Sequence, residues 1–148
     1  MVLKTILLSM GLLAMKVVLA AESLVKVESP DNFETTFQRV EQGLKDKGMT
    51  IFTVVDHADA AKENGLTLRP TRVIIFGNPK GGTPLMEKAP SLALQLPLKV
   101  LIFEGDDGKV YGEFLTAKAL AEGVGVNVEV VESLAPAEKL LQKLVSGQ

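Results

Sequence analysis

His57 is the chain's one histidine, and it follows Asp56 directly. An aspartate beside an imidazole can set its tautomer for base catalysis or for metal ligation. A catalytic triad also needs a third residue, which only the fold can bring in. Zinc normally takes three or four protein ligands, mostly His or Cys, and this chain has one His and no Cys. His57 is therefore the one residue suited to a haem or metal. Two copies could meet in a homodimer, or one could ligate a noncovalent haem iron. The simpler reading is that Asp56-His57 caps a short helix.

The second candidate is Gly77 to Thr83, GNPKGGT, which follows an apolar run and precedes a helical stretch. Backbone amides in such a loop, together with a helix N-terminus, attract phosphate. A nucleotide P-loop nevertheless requires Lys straight after its second Gly, then Ser or Thr. Here Gly82 is followed by Thr83-Pro84, Lys80 comes too early, and Pro84 removes an amide. An NTPase is excluded. Two readings remain open. One is a structural turn whose glycines take positive φ and whose Thr83 caps the next helix. The other is a weak anion-binding lip using Asn78, Lys80 and Thr83, with Arg69 or Arg72 nearby. Those arginines can equally sit on a solvated strand edge.

The elements that must carry these residues follow from periodicity. Leu24 to Glu28 reads as a short strand. Ser29-Pro30 has the chemistry of a helix start, and Phe33, Phe37, Val40 and Leu44 make one apolar face up to Gly48. Met49 to Val55 and Thr71 to Phe76 are β-branched, apolar strands, with a short helix from Ala58 to Asn64 between them. Thr83-Pro84 has the same start chemistry for another short helix. Leu98 to Phe103 and Lys109 to Leu115 flank EGDDGK as a hairpin. Ala117 to Glu122 suits a helical turn. Leu134, Leu140, Leu141, Leu144 and Val145 stripe a last helix with Pro136 in its first turn. Met86, Leu92, Leu94 and Leu96 close the core, or else line a cleft or a dimer interface. The order β-α-β-β-β-β-α has few long crossovers. It predicts an α+β fold with a largely antiparallel sheet and the main helices on one face.

Composition sets the compartment. Lys4 precedes an apolar run from Ile6 to Met15, and Val18-Leu19-Ala20 suits signal peptidase. Residues 1–20 are expected to be a signal peptide cleaved after Ala20 or Ala21, and 21–148 a single α+β domain in the periplasm. Lys16 interrupts the run, so no transmembrane span is expected once the signal is removed. A retained amphipathic helix is the alternative. With no cysteine there is neither a disulfide nor a lipid-anchoring Cys. Loss of Lys4 and Lys16 would take the net charge of −2 down by two further units. An acidic chain argues against nucleic acid as a partner.

Several pieces match a known pattern together: Asp56-His57-Ala58, Gly65-Leu66, Arg69-Pro70-Thr71, Phe76-Gly77-Asn78-Pro79, Gly82-Thr83-Pro84-Leu85 and Leu96-Pro97-Leu98-Lys99. In order and spacing they resemble the bacterial domain of unknown function 302 over most of the chain beyond the signal. The resemblance implies a fold similar to the half-repeat of the TATA-binding protein, β-α-β(4)-α, and homodimers. It implies neither DNA binding nor an activity. The chain departs from the family near Phe114-Leu115-Thr116, where a Tyr followed by Asn and Asp or Pro is common.

No nucleophile–base spacing, metal motif or cofactor fingerprint appears. The expected function is an exported, non-enzymatic binding or accessory protein with a cleft near His57 and the FGNPKGGT stretch. It would take a small-molecule ligand and pair as a homodimer. A haem- or metal-binding protein using His57 is the first alternative. A small hydrolase or isomerase using Asp56-His57 is the second. The cofactor, if any, is not named by the residues.

Overall fold

The computed structural model of the chain describes residues 23–148, so the signal-peptide expectation for residues 1–20 lies outside the described part. The elements run β1 (Leu24–Ser29), α1 (Phe33–Asp46), β2 (Thr50–Asp56), α2 (His57–Glu63), β3 (Thr71–Gly77) and α3 (Pro79–Lys88). A 3-10 turn (Pro90–Leu94), β4 (Leu98–Glu104), β5 (Val110–Leu115) and α4 (Ala117–Glu122) follow. A 3-10 stretch (Val128–Leu134) and α5 (Ala135–Ser146) complete the order.

The strands form one sheet in the order β1-β5-β4-β3-β2, with every neighbouring pair antiparallel. β2 to β5 make a meander. β1 lies at the far edge beside β5, so α1 must cross the sheet to deliver the chain to β2. This is the expected α+β architecture. One face of the sheet carries Ile74, Phe76, Val100, Ile102, Val110 and Phe114. Against it pack Phe37, Val40 and Leu44 of α1 and Leu141 and Val145 of α5. The helix periodicity read in the sequence is thus the core face, with Phe33 at its half-buried margin. A second, smaller cluster gathers Leu85, Leu92, Ala117, Ala121 and Val131 below α3 and α4. Among the described residues, no helix packs on the opposite sheet face in the main core cluster.

Three local expectations are corrected. Ser29 does not start α1. It pairs with Val110 at the end of β1, and its buried hydroxyl lies 2.6 Å from Thr36 Oγ1. Asn32 is the cap instead, accepting from the Thr35 amide at 2.9 Å. Thr83 does not start α3 either. Asn78 caps it and Pro79 occupies its first turn, where a missing amide costs nothing. Consequently GNPKGGT is not a turn: Lys80 to Thr83 are helical, and none of Gly77, Gly81 and Gly82 has positive φ. The glycines that do are elsewhere, at Gly48 and Gly65 after α1 and α2 among them.

Candidate functional site

Strand register separates the sequence candidates into two groups. Asp56 pairs with Arg72, and Thr50 pairs with Gly77, at opposite ends of the β2–β3 ladder. Seven residues of β3 span about 20 Å at about 3.3 Å each. His57 and the Asn78–Thr83 segment therefore do not share a cleft.

At the His57 end, Asp56 is fully engaged. Its carboxylate accepts from Arg72 Nε at 2.6 Å and from the Asp59 amide at 2.9 Å, which caps α2. Arg72 Nη1 also donates to Glu34 Oε2 at 2.9 Å, and its guanidinium lies over the rings of Phe33 and Phe37 at 5.1 and 4.9 Å. Burial alone would raise the Asp56 carboxyl, but the hydrogen bonds from Arg72 and Asp59 and the Arg72 charge hold it below its ordinary value. The hydrogen bond from Arg72 does the same to Glu34, and the Asp56 bond raises Arg72. His57 opens α2 as an exposed residue. The capping role foreseen for the pair falls to Asp56, whose carboxylate is committed to Arg72 rather than to the imidazole. Arg69 is held by Glu104 at 3.5 Å and Asp106 at 3.3 Å. Neither arginine approaches Lys80.

At the other end lies a cleft of about 910 Å³, within the size range of small-molecule sites. It forms at the seam between the two hydrophobic clusters. Met49, Leu98 and Leu140 reach it from the first cluster, and Met86, Leu96 and Leu134 from the second. Phe52, about half exposed, and Gly77 contribute at the sheet edge. A side chain at position 77 would lie 3.5 Å from both Phe52 and Pro97, so glycine keeps that corner open. Asn78 and Thr83 line the cleft, while exposed Lys80 lies beside them without lining it. Asn78 Oδ1 is committed to the Lys80 amide at 3.0 Å.

Of the apolar segment Met86 to Leu96, Leu92 is core, Met86 and Leu96 line the cleft, and Leu94 is 79% exposed. The residues that sequence reasoning missed are Lys47, Lys139 and Lys143, which also line the cleft. Lys139 and Lys143 stand at i, i+4 on α5, a spacing that places both on one helix face. A second hollow, under α4 beside Phe114 and Leu120, has room for about 10 Å³ and is too small for a ligand. Among the described residues no group of three or more His, Asp or Glu side chains could hold a metal ion, and no helix is long and apolar enough to cross a membrane.

Comparison with known proteins agrees with the fold. The chain shares 48% identity over 88 residues with a protein of Brucella suis biovar 1 (strain 1330) named fluoride-specific ion channel FluC 1, covering 60% of this chain and 35% of that one. The FluC 1 protein of Brucella abortus biovar 1 (strain 9-941) matches at 48% over 88 residues and 33% of its length. The chain thus spans about a third of the curated relatives it matches. The crystal structure of an uncharacterized conserved DUF302 protein from Bacillus stearothermophilus superposes with a TM-score of 0.74 at 19% identity, covering 84% of this chain and 97% of that one. The family model for domain of unknown function DUF302 matches residues 25–146, which include all of the sheet but Leu24 and both sides of the cleft, and the chain belongs to that family.

Proposed function

We propose that this protein binds a small apolar molecule in the cleft between α3, the 3-10 turn and α5, and that it does so without catalysis in the cell envelope. The cleft carries the reading: its volume suits a ligand, and its walls are mostly Met, Leu, Phe, Pro and Gly. The signal-like N-terminus supports the compartment. The alternatives that use His57 draw less support. Its ring is exposed at the far end of the sheet, and Asp56 is spent on Arg72 and the helix cap. The channel function of the Brucella proteins is not carried over, because only about a third of their length is matched.

The homodimer belongs to the same proposal. The sheet face opposite the core, free of helices among the described residues, aligns Val55, Val73 and Leu101 in one row across three strands, an apolar stripe suited to a second copy. A Leu101→Glu chain should then sediment as a monomer where the parent is a dimer. A parent that sediments as a monomer removes the homodimer.

The binding test uses the uncharged fluorophore N-phenyl-1-naphthylamine. Its emission should rise on adding the protein and stay low with Ala93→Trp, which fills the cleft from an exposed position. His57→Ala should bind as the parent does. No rise with the parent, or a rise that Ala93→Trp leaves unchanged, would remove the cleft reading. Haem absorbance in protein purified from its own host, lost in His57→Ala, would replace it with the haem alternative.

A further inference from the structure

We infer that the ligand is a free anionic amphiphile, a single alkyl chain ending in a carboxylate or similar monoanion, with the chain in the cleft and the head at Lys47, Lys139 and Lys143. The inference rests on the cleft-binding reading and adds the chemistry of the ligand to it.

Charge carries the argument. Among the described residues no aspartate or glutamate lines the cleft, yet three lysines do. Among the other described basic side chains, Lys26, Arg39, Lys45, Arg69, Arg72, Lys109 and Lys118 are each paired with a carboxylate, while Lys62, Lys80, Lys88 and Lys99 are unpaired but do not line the cleft. Among the described residues, Lys47, Lys139 and Lys143 lie within 4.0 Å of no carboxylate. Three uncompensated cations beside one apolar hollow form an electrostatic complement to one anionic head. Their positions suit the role. Lys47 stands at the end of α1, and Lys139 and Lys143 stand a turn apart on α5. Their methylene stems can lie along the apolar wall while the ammonium groups stay in water. Inside, Met49 and Met86 are unbranched and adapt to a flexible chain.

A membrane surface fits less well. Anionic lipid attracts a polybasic patch, and this chain carries a net charge of −2 with three unpaired lysines gathered around a concavity. A molecule that leaves the bilayer and enters the cleft matches both the shape and the charge.

The full chain is titrated with dodecanoate and dodecyltrimethylammonium below their micelle concentrations, and with dodecanol below its solubility limit, by displacement of N-phenyl-1-naphthylamine. Dodecanoate should bind about tenfold tighter than dodecanol, as expected for several exposed ion pairs acting together. The cation should bind most weakly. The preference should shrink in 1 M salt, where screening acts over about 3 Å. It should vanish in the Lys47→Gln, Lys139→Gln, Lys143→Gln triple variant, which still binds dodecanol. Equal affinity for all three probes would overturn the head-group inference and leave the cleft reading standing. Failure of every probe to bind would overturn both. Binding to phosphatidylglycerol vesicles with no binding of monomeric dodecanoate would overturn it in favour of a membrane surface.

Discussion

Arg72 donates from Nε to Asp56 Oδ2 at 2.6 Å, across the β2–β3 pair in which the two residues stand directly opposite each other. The same guanidinium reaches Glu34 on α1 and covers Phe33 and Phe37. One side chain thus ties the start of the long helix to the sheet and holds the cap of α2 in place.

Replacing Arg72 with Met keeps much of the apolar contact and removes the charge. The expected loss is about 1–2 kcal/mol at neutral pH, because two charge-assisted hydrogen bonds go and both partners are partly solvated. Asp56 and Glu34 are both held below their ordinary 3.8 and 4.5. A carboxylate with a depressed folded pKa contributes stability that is complete above its unfolded value and lost as pH falls through the folded one. Urea titrations of parent and variant should therefore differ most above about pH 5 and converge as pH drops below about 4. A gap that stays constant into strong acid would mean that Arg72 acts through packing alone.

Gly81 lies in α3 with negative φ, and an added Cβ meets nothing within 4 Å. Gly81→Ala should raise stability by about 0.5–1 kcal/mol, since alanine loses less freedom in a helix. The loop reading of GNPKGGT predicts the opposite sign, so thermal unfolding of this one variant discriminates between the two.

Gly112 behaves differently for a packing reason. A Cβ there would lie 2.4 Å from Val145 Cγ2 and 2.9 Å from Cγ1, and Val145 is fully buried. Valine cannot swing away as a long side chain can. Gly112→Ala should cost about 1–3 kcal/mol by chemical denaturation, typical of overpacking. A neutral result would show that α5 can lift from β5.

Phe37→Ala removes a side chain that is 8% exposed from the centre of the α1 face. The expected loss is about 3–5 kcal/mol. A loss under about 1 kcal/mol would match a surface residue.

Tyr111 is the chain's one tyrosine, so its ionisation can be followed directly by ultraviolet absorbance. The hydrogen bond from its hydroxyl to Asp107 Oδ2 at 2.5 Å pushes its pKa up to about 12. A raised pKa means the bond contributes fully below the ordinary value of 10 and is lost as pH rises through about 12. Asp107→Asn should bring the titration midpoint back toward 10. An unchanged midpoint would show that Asp107 does not hold the phenol.

Legibility in the sequence followed the range of the forces. Phe37, Val40 and Leu44 repeat with the helix, and the hairpin around EGDDGK is closed by its own turn, so both were readable from neighbours alone. The helix starts were harder. Ser29-Pro30 and Asn32 compete for one cap, as do Asn78-Pro79 and Thr83-Pro84 for another, with similar side-chain chemistry. Pairing settled each case. Ser29 is claimed by Val110, and β3 ends at Gly77, where its bonds to Thr50 stop. Once the strand has ended, Asn78 is the first residue free to cap.

The candidate site divides the same way. Residue type was enough to single out His57, Asn78, Lys80, Thr83, Arg69 and Arg72, because charge and hydrogen-bonding capacity belong to a side chain wherever it sits. Which of them meet was decided by the sheet. Antiparallel register sends Asp56 and Gly77 to opposite ends of a strand pair, and so parts His57 from Asn78. The cleft itself has no local signature. Its walls come from Lys47 to Phe52, Gly77 to Leu98 and Ser133 to Lys143, segments far apart in the chain. They converge because two hydrophobic clusters bury their own side chains and leave a gap between them. A gap of that kind is a property of packing in three dimensions, to which no single stretch of residues corresponds.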